Sequence, residues 1–170
     1  SARGRGYGGV NMKRTQSILL ITILVVMLAL AACGSGAPNV DWNLDISGAV
    51  SNPITLTYAD LVKRDQLFLD DVVMRKSQGE DTVNDWEGPA LDAILAEAGT
   101  SEGFVSIVCT ASDGYAKEIA AADLAEAIIA LKQDGEWIAT SDPDSPIRIV
   151  IPGLPANSWL FGLAEIQVVE

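Results

Sequence analysis

The chain contains no histidine and only two cysteines, Cys33 and Cys109. The absence of histidine removes the commonest metal ligand and the commonest general base, and it excludes every Ser-His-Asp or Cys-His catalytic arrangement. Haem held by an axial histidine is excluded for the same reason. If Cys33 is modified, Cys109 has no partner for an intramolecular disulfide. The chemistry open to this chain is therefore narrow.

Positive charge is also scarce in the larger part of the chain. After Cys33 there are seven Lys and Arg residues against all 23 acidic residues, which gives a net charge of −16. Such a surface repels phosphate backbones and anionic headgroups, so we expect no nucleic-acid partner. The acidic residues do not follow the pattern of an EF-hand calcium loop. They are typical of a solvated surface that keeps a protein soluble.

The segment 12–33 is typical of a lipoprotein export signal. Lys13 and Arg14 form its basic start, residues 18–28 form an almost unbroken apolar core, and Leu-Ala-Ala-Cys ends it at Cys33. This ending resembles the lipobox of prokaryotic lipoproteins, in which the cysteine is lipidated and becomes the mature N-terminus. An uncleaved membrane anchor is the alternative, because about 20 apolar residues can span a bilayer. Either interpretation holds the rest of the chain at the cell membrane, on the periplasmic or extracellular side.

These signals divide the chain into four parts. We expect residues 1–11 to be upstream or non-native sequence, residues 12–32 to be a signal peptide, and residues 33–41 to be a lipidated tether. Residues 42–170 then form one domain, which is long enough to bury a real core.

Apolar periodicity within this domain predicts strands and helices in mixed order. Strands are predicted at 42–48, 54–56, 67–74, 104–111, 137–139, 147–151 and 166–168, with a polar loop at 77–85. Helices are predicted at 58–63, 89–98 and 121–131. The lack of a strict strand-helix alternation favours an α+β fold with a largely mixed sheet.

The residues at the joints between these elements form an ordered set of short motifs. In chain order they are Trp42-x-Leu-x-Ile-x-Gly48, Asn52-Pro53, Leu56-Thr57-Tyr58-x-Asp60-Leu61, Trp86-Glu87-Gly88-Pro89-x-Leu91, Asp113-Gly114-Tyr115, Pro146-Ile147-Arg148-Ile149-Val150-Ile151-Pro152-Gly153 and Trp159-x-x-Gly162-Leu163-x-x-Ile166-x-Val168. The set resembles the oxidoreductase molybdopterin-binding domain of sulfite oxidases, plant nitrate reductases and the catalytic subunit of bacterial methionine sulfoxide reductase. No motif is specific alone, but their order is. The resemblance covers residues 42–169 and implies a sulfite-oxidase-like fold with mixed β-sheets and short helices.

One departure from the family is as informative as the match. Catalytic members bind molybdenum through a cysteine thiolate in the loop after the strand that precedes the Trp-x-Gly motif. Here residues 72–79 read Val-Val-Met-Arg-Lys-Ser-Gln-Gly, without a cysteine. Neither Lys nor a neutral Ser hydroxyl replaces a soft thiolate as a ligand, and Cys109 lies in an apolar strand where cysteine behaves as a small hydrophobe. We therefore expect no catalytic residue, no protein-bound metal and no cofactor.

A residual cleft is the remaining candidate site. We expect it among Arg75, Lys76, Ser77, Asp113, Tyr115, Arg148 and Trp159, and we expect its ligand to be smaller and less charged than the cofactor. Structural alternatives exist for several of these residues. Arg148 fits a buried arginine paired with a carboxylate or an arginine on the solvent face of its strand, Trp159 fits a core residue that holds loops in place, and Asp113 fits a turn.

Three functions are compatible with these observations. The first is a membrane-anchored, non-catalytic binding or accessory module, which the missing thiolate and histidines favour. The second is an active molybdenum-cofactor oxidoreductase, sulfite oxidase-like, that holds the cofactor without a protein thiolate. The third is a purely structural or interaction lipoprotein. The expected partners are the membrane, through the N-terminal lipid, and a small-molecule ligand or a membrane-associated redox partner.

Replacement of the lipobox cysteine tests the anchor. Cys33→Ser should leave an unprocessed precursor and release or mislocalise the protein, because each buried CH₂ of an acyl chain contributes about 0.8 kcal/mol to membrane binding. Membrane fractionation and the mass of the processed N-terminus measure both effects. A variant that is processed and membrane-bound like the parent would show that the lipobox interpretation is wrong.

Overall fold

The computed structural model describes residues 36–170. The predicted signal peptide and Cys33 lie outside the described residues. Within 36–170, no helix is both long and apolar enough to cross a membrane. Residues Ala37–Glu170 form one compact unit with a shared apolar core.

The larger sheet has five strands in the order β2-β1-β11-β5-β6. Its strands are β1 (Asn43–Gly48), β2 (Ile54–Thr57), β5 (Ser106–Ala111), β6 (Ala116–Ala120) and β11 (Leu163–Val169). β1 and β11 run parallel, and the other pairs are antiparallel. Leu44 and Ile46 of β1 are buried between more exposed neighbours, as expected for a strand with one face on the core.

The second sheet has four strands in the order β3-β4-β8-β9. Its strands are β3 (Gln66–Met74), β4 (Thr82–Pro89), β8 (Lys132–Gln133) and β9 (Glu136–Trp137). Asp134 and Gly135 connect β8 to β9 with φ values of 52° and 81°, a conformation typical of two-residue hairpin turns. The register between β3 and β4 shifts between Leu69 and Val72, which marks a β-bulge.

A third, two-stranded sheet pairs β7 (Ile128–Ala130) with β10 (Arg148–Val150). β7 has a neighbour on each side, since β10 pairs with one edge and the end of β4 approaches the other. Leu131 N donates a hydrogen bond of 2.8 Å to Glu87 O, and a Cβ on Gly88 would lie only 2.0 Å from Ile129 O. This position therefore requires glycine, and the close approach connects the small sheet to the four-stranded one.

Three short α-helices complete the unit: α1 (Tyr58–Lys63), α2 (Leu91–Glu97) and α3 (Ile138–Ser141). A capping box begins α1, since Asp60 N donates to Thr57 Oγ1 and Thr57 N donates to Asp60 Oδ2. Mixed sheets with few, short helices confirm the α+β class.

Three local predictions are wrong. Residues 121–131 are not a helix but a 3₁₀ turn, Ala121–Asp123, followed by β7. Residues 137–139 are not a strand, because β9 ends at Trp137 and α3 begins at Ile138. The polar segment 77–85 is a loop only as far as residue 81, and its last residues open β4. There Asp134 accepts hydrogen bonds from Asn84 Nδ2 and Asp85 N, which allows polar residues to sit in a strand.

The close approach at Gly88 predicts a large effect of one methyl group. Gly88→Ala should lower the free energy of unfolding by about 1–3 kcal/mol or more, because the added Cβ meets backbone that has no room to move. Gly103→Ala is the matched control, since Gly103 has open space around it and a φ outside the left-handed region. Urea denaturation followed by circular dichroism measures both variants, and equal stabilities would contradict the packing described here.

Candidate functional site

The loop that follows β3 forms the first wall of the site. It contains Arg75, Lys76 and Ser77, all exposed. Ala156 N donates to Arg75 O at 2.8 Å, and Arg75 Nη1 lies 3.5 Å from Gly153 O. These bonds hold the backbone and the side chain of Arg75 against the chain segment that begins at residue 153.

The turn between β5 and β6 forms the second wall. Tyr115 N donates to Asp113 Oδ1 at 2.9 Å, and Gly114 has a φ of +87°, so Asp113 has the structural role of a turn residue as well as a place beside the cleft. Tyr115 Oη donates to Asn157 O at 3.2 Å. The phenol therefore reaches across to the same segment as Arg75.

That segment is positioned by Trp159. Its ring is 3% exposed, its Nε1 donates to Ile151 O at 3.0 Å, and it meets the ring of Trp86 edge-to-face with 5.9 Å between centroids. A 3₁₀ turn, Ala156–Ser158, precedes it. The indole is thus part of the core, and one side of it also faces the cleft.

Two adjoining cavities lie along this segment. The larger, of about 290 Å³, is lined by Ala111, Asp113, Tyr115, Ala156, Asn157, Trp159, Leu160 and Phe161. The smaller, of about 140 Å³, is lined by Arg75, Lys76, Ser77, Pro155 and Asn157. Six of the seven predicted residues therefore line two cavities that share Asn157. Sequence reasoning missed Asn157, and its only signal is the polar pair Asn157-Ser158 between Pro155 and Trp159.

Arg148 lines neither of these two cavities. Its Nη1 donates to Gln133 Oε1 at 3.0 Å, and its Nη2 lies 3.7 Å from Asp142 Oδ2. The guanidinium lies 4.1 Å from the ring centroid of Phe161, whose side chain does line the larger cavity. Burial lowers the pKa of Arg148 and Asp142 opposes the shift, but an arginine stays protonated in proteins. Arg148 is the carboxylate-paired arginine considered above, half-buried rather than fully buried, and it supports the cavity wall from behind.

Cys109, the only cysteine among residues 36–170, lies in the core. It is fully buried in β5, and burial raises the pKa of its thiol to about 12. At neutral pH the group is a protonated thiol, which is neither a nucleophile nor a metal ligand. It lines neither cavity.

Comparison with known proteins identifies the fold family. The family model described as oxidoreductase molybdopterin binding domain matches residues 34–170. The chain belongs to this family. The resemblance read from the sequence motifs is therefore confirmed.

Two known proteins are similar to this chain, one in sequence and one in structure. The NADH nitrate reductase of Volvox carteri is 27% identical over an alignment of 173 residues. The match covers 79% of this chain and 20% of that protein. The chain thus spans about a fifth of the length of that relative. The sulfane dehydrogenase SoxCD of Paracoccus pantotrophus superposes with a TM-score of 0.69 at 19% identity, covering 79% of this chain and 40% of that one. This second likeness shows the fold, which is that of a sulfite-oxidase-like molybdopterin domain.

The donor groups of this site do not fit a molybdenum cofactor bound as in the family's catalytic members. The loop after β3 presents a guanidinium, an ammonium and a hydroxyl where those members carry a thiolate. Arg75 and Lys76 are the only cations lining the two cavities, and the carboxylate of Asp113 lies in the adjoining one. A soft metal ligand is missing, and so is the basic pocket that a multiply charged phosphate requires.

The burial of Cys109 predicts an unreactive thiol. In the folded protein at neutral pH, iodoacetamide should modify Cys109 at least about 100-fold more slowly than in guanidinium-denatured protein, because only an accessible thiolate reacts. Mass spectrometry of the peptide containing Cys109 measures the rate separately from that of Cys33. Rapid modification of the native protein would contradict the assignment of Cys109 to the core.

Proposed function

We propose that this chain is a lipid-anchored, extracytoplasmic protein whose molybdopterin-oxidoreductase-like domain acts as a non-catalytic binding or accessory module. One observation carries the proposal. Arg75, Lys76 and Ser77 occupy the loop after β3, and the only thiol among the described residues is buried in β5. Without a thiolate in that loop the domain has no protein ligand for the metal.

Charge supports the same conclusion. Two cations would have to hold a multiply charged anion against the residues after Cys33, which carry a net charge of −16. Repulsion of this kind raises the free energy of anion binding everywhere except inside a strongly basic pocket. The cleft therefore favours a ligand with little negative charge.

The walls of the larger cavity indicate the ligand class. Tyr115, Trp159 and Phe161 supply aromatic surface, and Asp113 and Asn157 supply polar groups. A volume of about 290 Å³ is near the lower end of small-molecule sites. These features suit a small, neutral or weakly charged molecule that stacks on an aromatic ring and donates a hydrogen bond to a carboxylate.

Location follows from the N-terminal segment. The signal pattern at 12–33 supports a lipidated cysteine at the membrane with the domain outside the cytoplasm. A domain held at the membrane would meet a membrane-associated protein as its partner. The acidity of the domain argues against a nucleic-acid partner.

Metal analysis tests the proposal. The full-length chain and, as a control, a nitrate reductase molybdenum domain are expressed in the same cofactor-producing host, and molybdenum and pterin are measured per chain. We expect the control to load and this chain to contain neither, with no turnover of sulfite or sulfoxide. Stoichiometric molybdenum, or turnover that Ser77→Ala or Cys109→Ala abolishes, would overturn the proposal.

A further inference from the structure

The outward face of the β3-β4 pair carries three large apolar side chains. Phe68, Val73 and Val83 are 56%, 41% and 54% exposed. Val73 is paired directly with Val83, and Phe68 is paired with Glu87, two positions along β4 from Asp85. Because side chains alternate between faces along β4, Val83 and Glu87 lie on the face opposite the buried Trp86. The three apolar side chains therefore form one exposed surface away from the core.

The free edge of β3 adjoins this surface. β3 is nine residues long and lies at the end of the four-stranded sheet. Within residues 36–170 it pairs with β4 on one side, and no strand pairs with residues 66–74 on the other. An open edge of this length exposes unpaired backbone N–H and C=O groups, which is a template for an added strand. An extended peptide recognises such an edge by main-chain hydrogen bonds and by its alternate side chains.

Negative charge is concentrated in the middle of this edge. Carboxylate oxygens of Asp70, Asp71 and Asp85 lie within 4.8 Å of one another at the β-bulge. The pKa of Asp70 is raised by its hydrogen bond to Asp85 and by the charge of Asp71. No Lys or Arg among the described residues forms a salt bridge with any of the three. Asp134, which accepts hydrogen bonds from Asn84 and Asp85, adds a fourth carboxylate.

The charge decides what can occupy the surface. A second copy of this chain would bring one cluster of carboxylates against another, and the residues after Cys33 carry −16 in each copy. An anionic lipid surface is repelled for the same reason. A cationic segment, by contrast, neutralises the cluster while its apolar residues cover Phe68, Val73 and Val83.

We infer that the surface formed by Phe68, Val73, Val83 and the free edge of β3 docks an extended segment of a partner protein that carries both apolar and basic residues on one face of the strand. The inference does not depend on whether the cleft binds a ligand, because none of these residues lines either cavity of the cleft. Acidic groups in the centre of the edge also disfavour pairing of this open strand with its own copies.

Two synthetic peptides of about eight residues, the usual length of a strand, serve as probes. In one peptide Val and Lys take turns at every second position, with Ser between them, so that both side chains face the same side of the strand; in the other peptide Glu replaces Lys. Fluorescence anisotropy with the full-length protein in non-ionic detergent should show the Lys peptide binding at least about tenfold more tightly than the Glu peptide, and more weakly at higher salt. Equal affinities, or no binding of the Lys peptide, would overturn the inference.

Variants locate the binding. Phe68→Ser with Val83→Thr should weaken binding of the Lys peptide about tenfold, whereas Val105→Ser, at an equally exposed valine elsewhere, should not. Asp70→Asn with Asp71→Asn should weaken binding and flatten its salt dependence, and Asn suits the positive φ of 50° at position 71. Asp123→Asn, at an exposed aspartate outside the cluster, is the matched control and should bind like the parent.

Two further measurements control for misfolding and for dimerisation. Thermal melting shows whether the Phe68 variant folds. If it does not fold, the affinity of the Asp70 and Asp71 variant for the Lys peptide tests the inference instead. A dimer detected by sedimentation in the parent and lost in the Phe68 variant would assign the surface to a second copy and would overturn the inference.

Discussion

The edge-to-face contact between Trp86 and Trp159 is the interaction on which the site depends. It joins β4 of the four-stranded sheet to the segment that forms the walls of both cavities. Such a pair contributes about 0.5–1.5 kcal/mol beyond the burial of its area. The hydrogen bond from Trp159 Nε1 to Ile151 O orients the ring of Trp159 and thereby fixes the path of the backbone before and after this residue. This backbone path places Asn157 and Phe161 in the cleft.

Arg148 reinforces the same arrangement. Its guanidinium lies against the rings of Phe161 and Trp86, and Asp142 and Gln133 accept its polar contacts. Stacking on aromatic faces combined with fixed hydrogen bonds is a role that arginine fills better than lysine. This cation is thereby committed to the scaffold, and the loop after β3 is the only basic part of the cleft.

Much of the site was predictable from the sequence because turns and caps are local. Asp113-Gly114-Tyr115 has the chemistry of a hairpin turn, and Thr57 with Asp60 has that of a capping box, so both follow from a few adjacent residues. Asn157 was not predictable, because a polar residue in a loop acquires its place only when residues far apart in the chain converge on it. The helix expected at 121–131 failed for a related reason. Residues 127–131 are buried on every side, so no periodicity distinguishes a strand from a helix there.

By itself the sequence determined the family, the α+β class and the absence of histidine and of a thiolate in the loop after β3, since these depend on residue identity and order. Only the tertiary structure decided that Ile128–Ala130 is a strand, because its partner Arg148–Val150 comes about 20 residues later in the chain. It also decided that Arg148 lies behind the cleft and that Phe68, Val73 and Val83 share an exposed face with a cluster of carboxylates. Long-range pairing and the β-bulge set those positions, and neither has a local signature in the sequence.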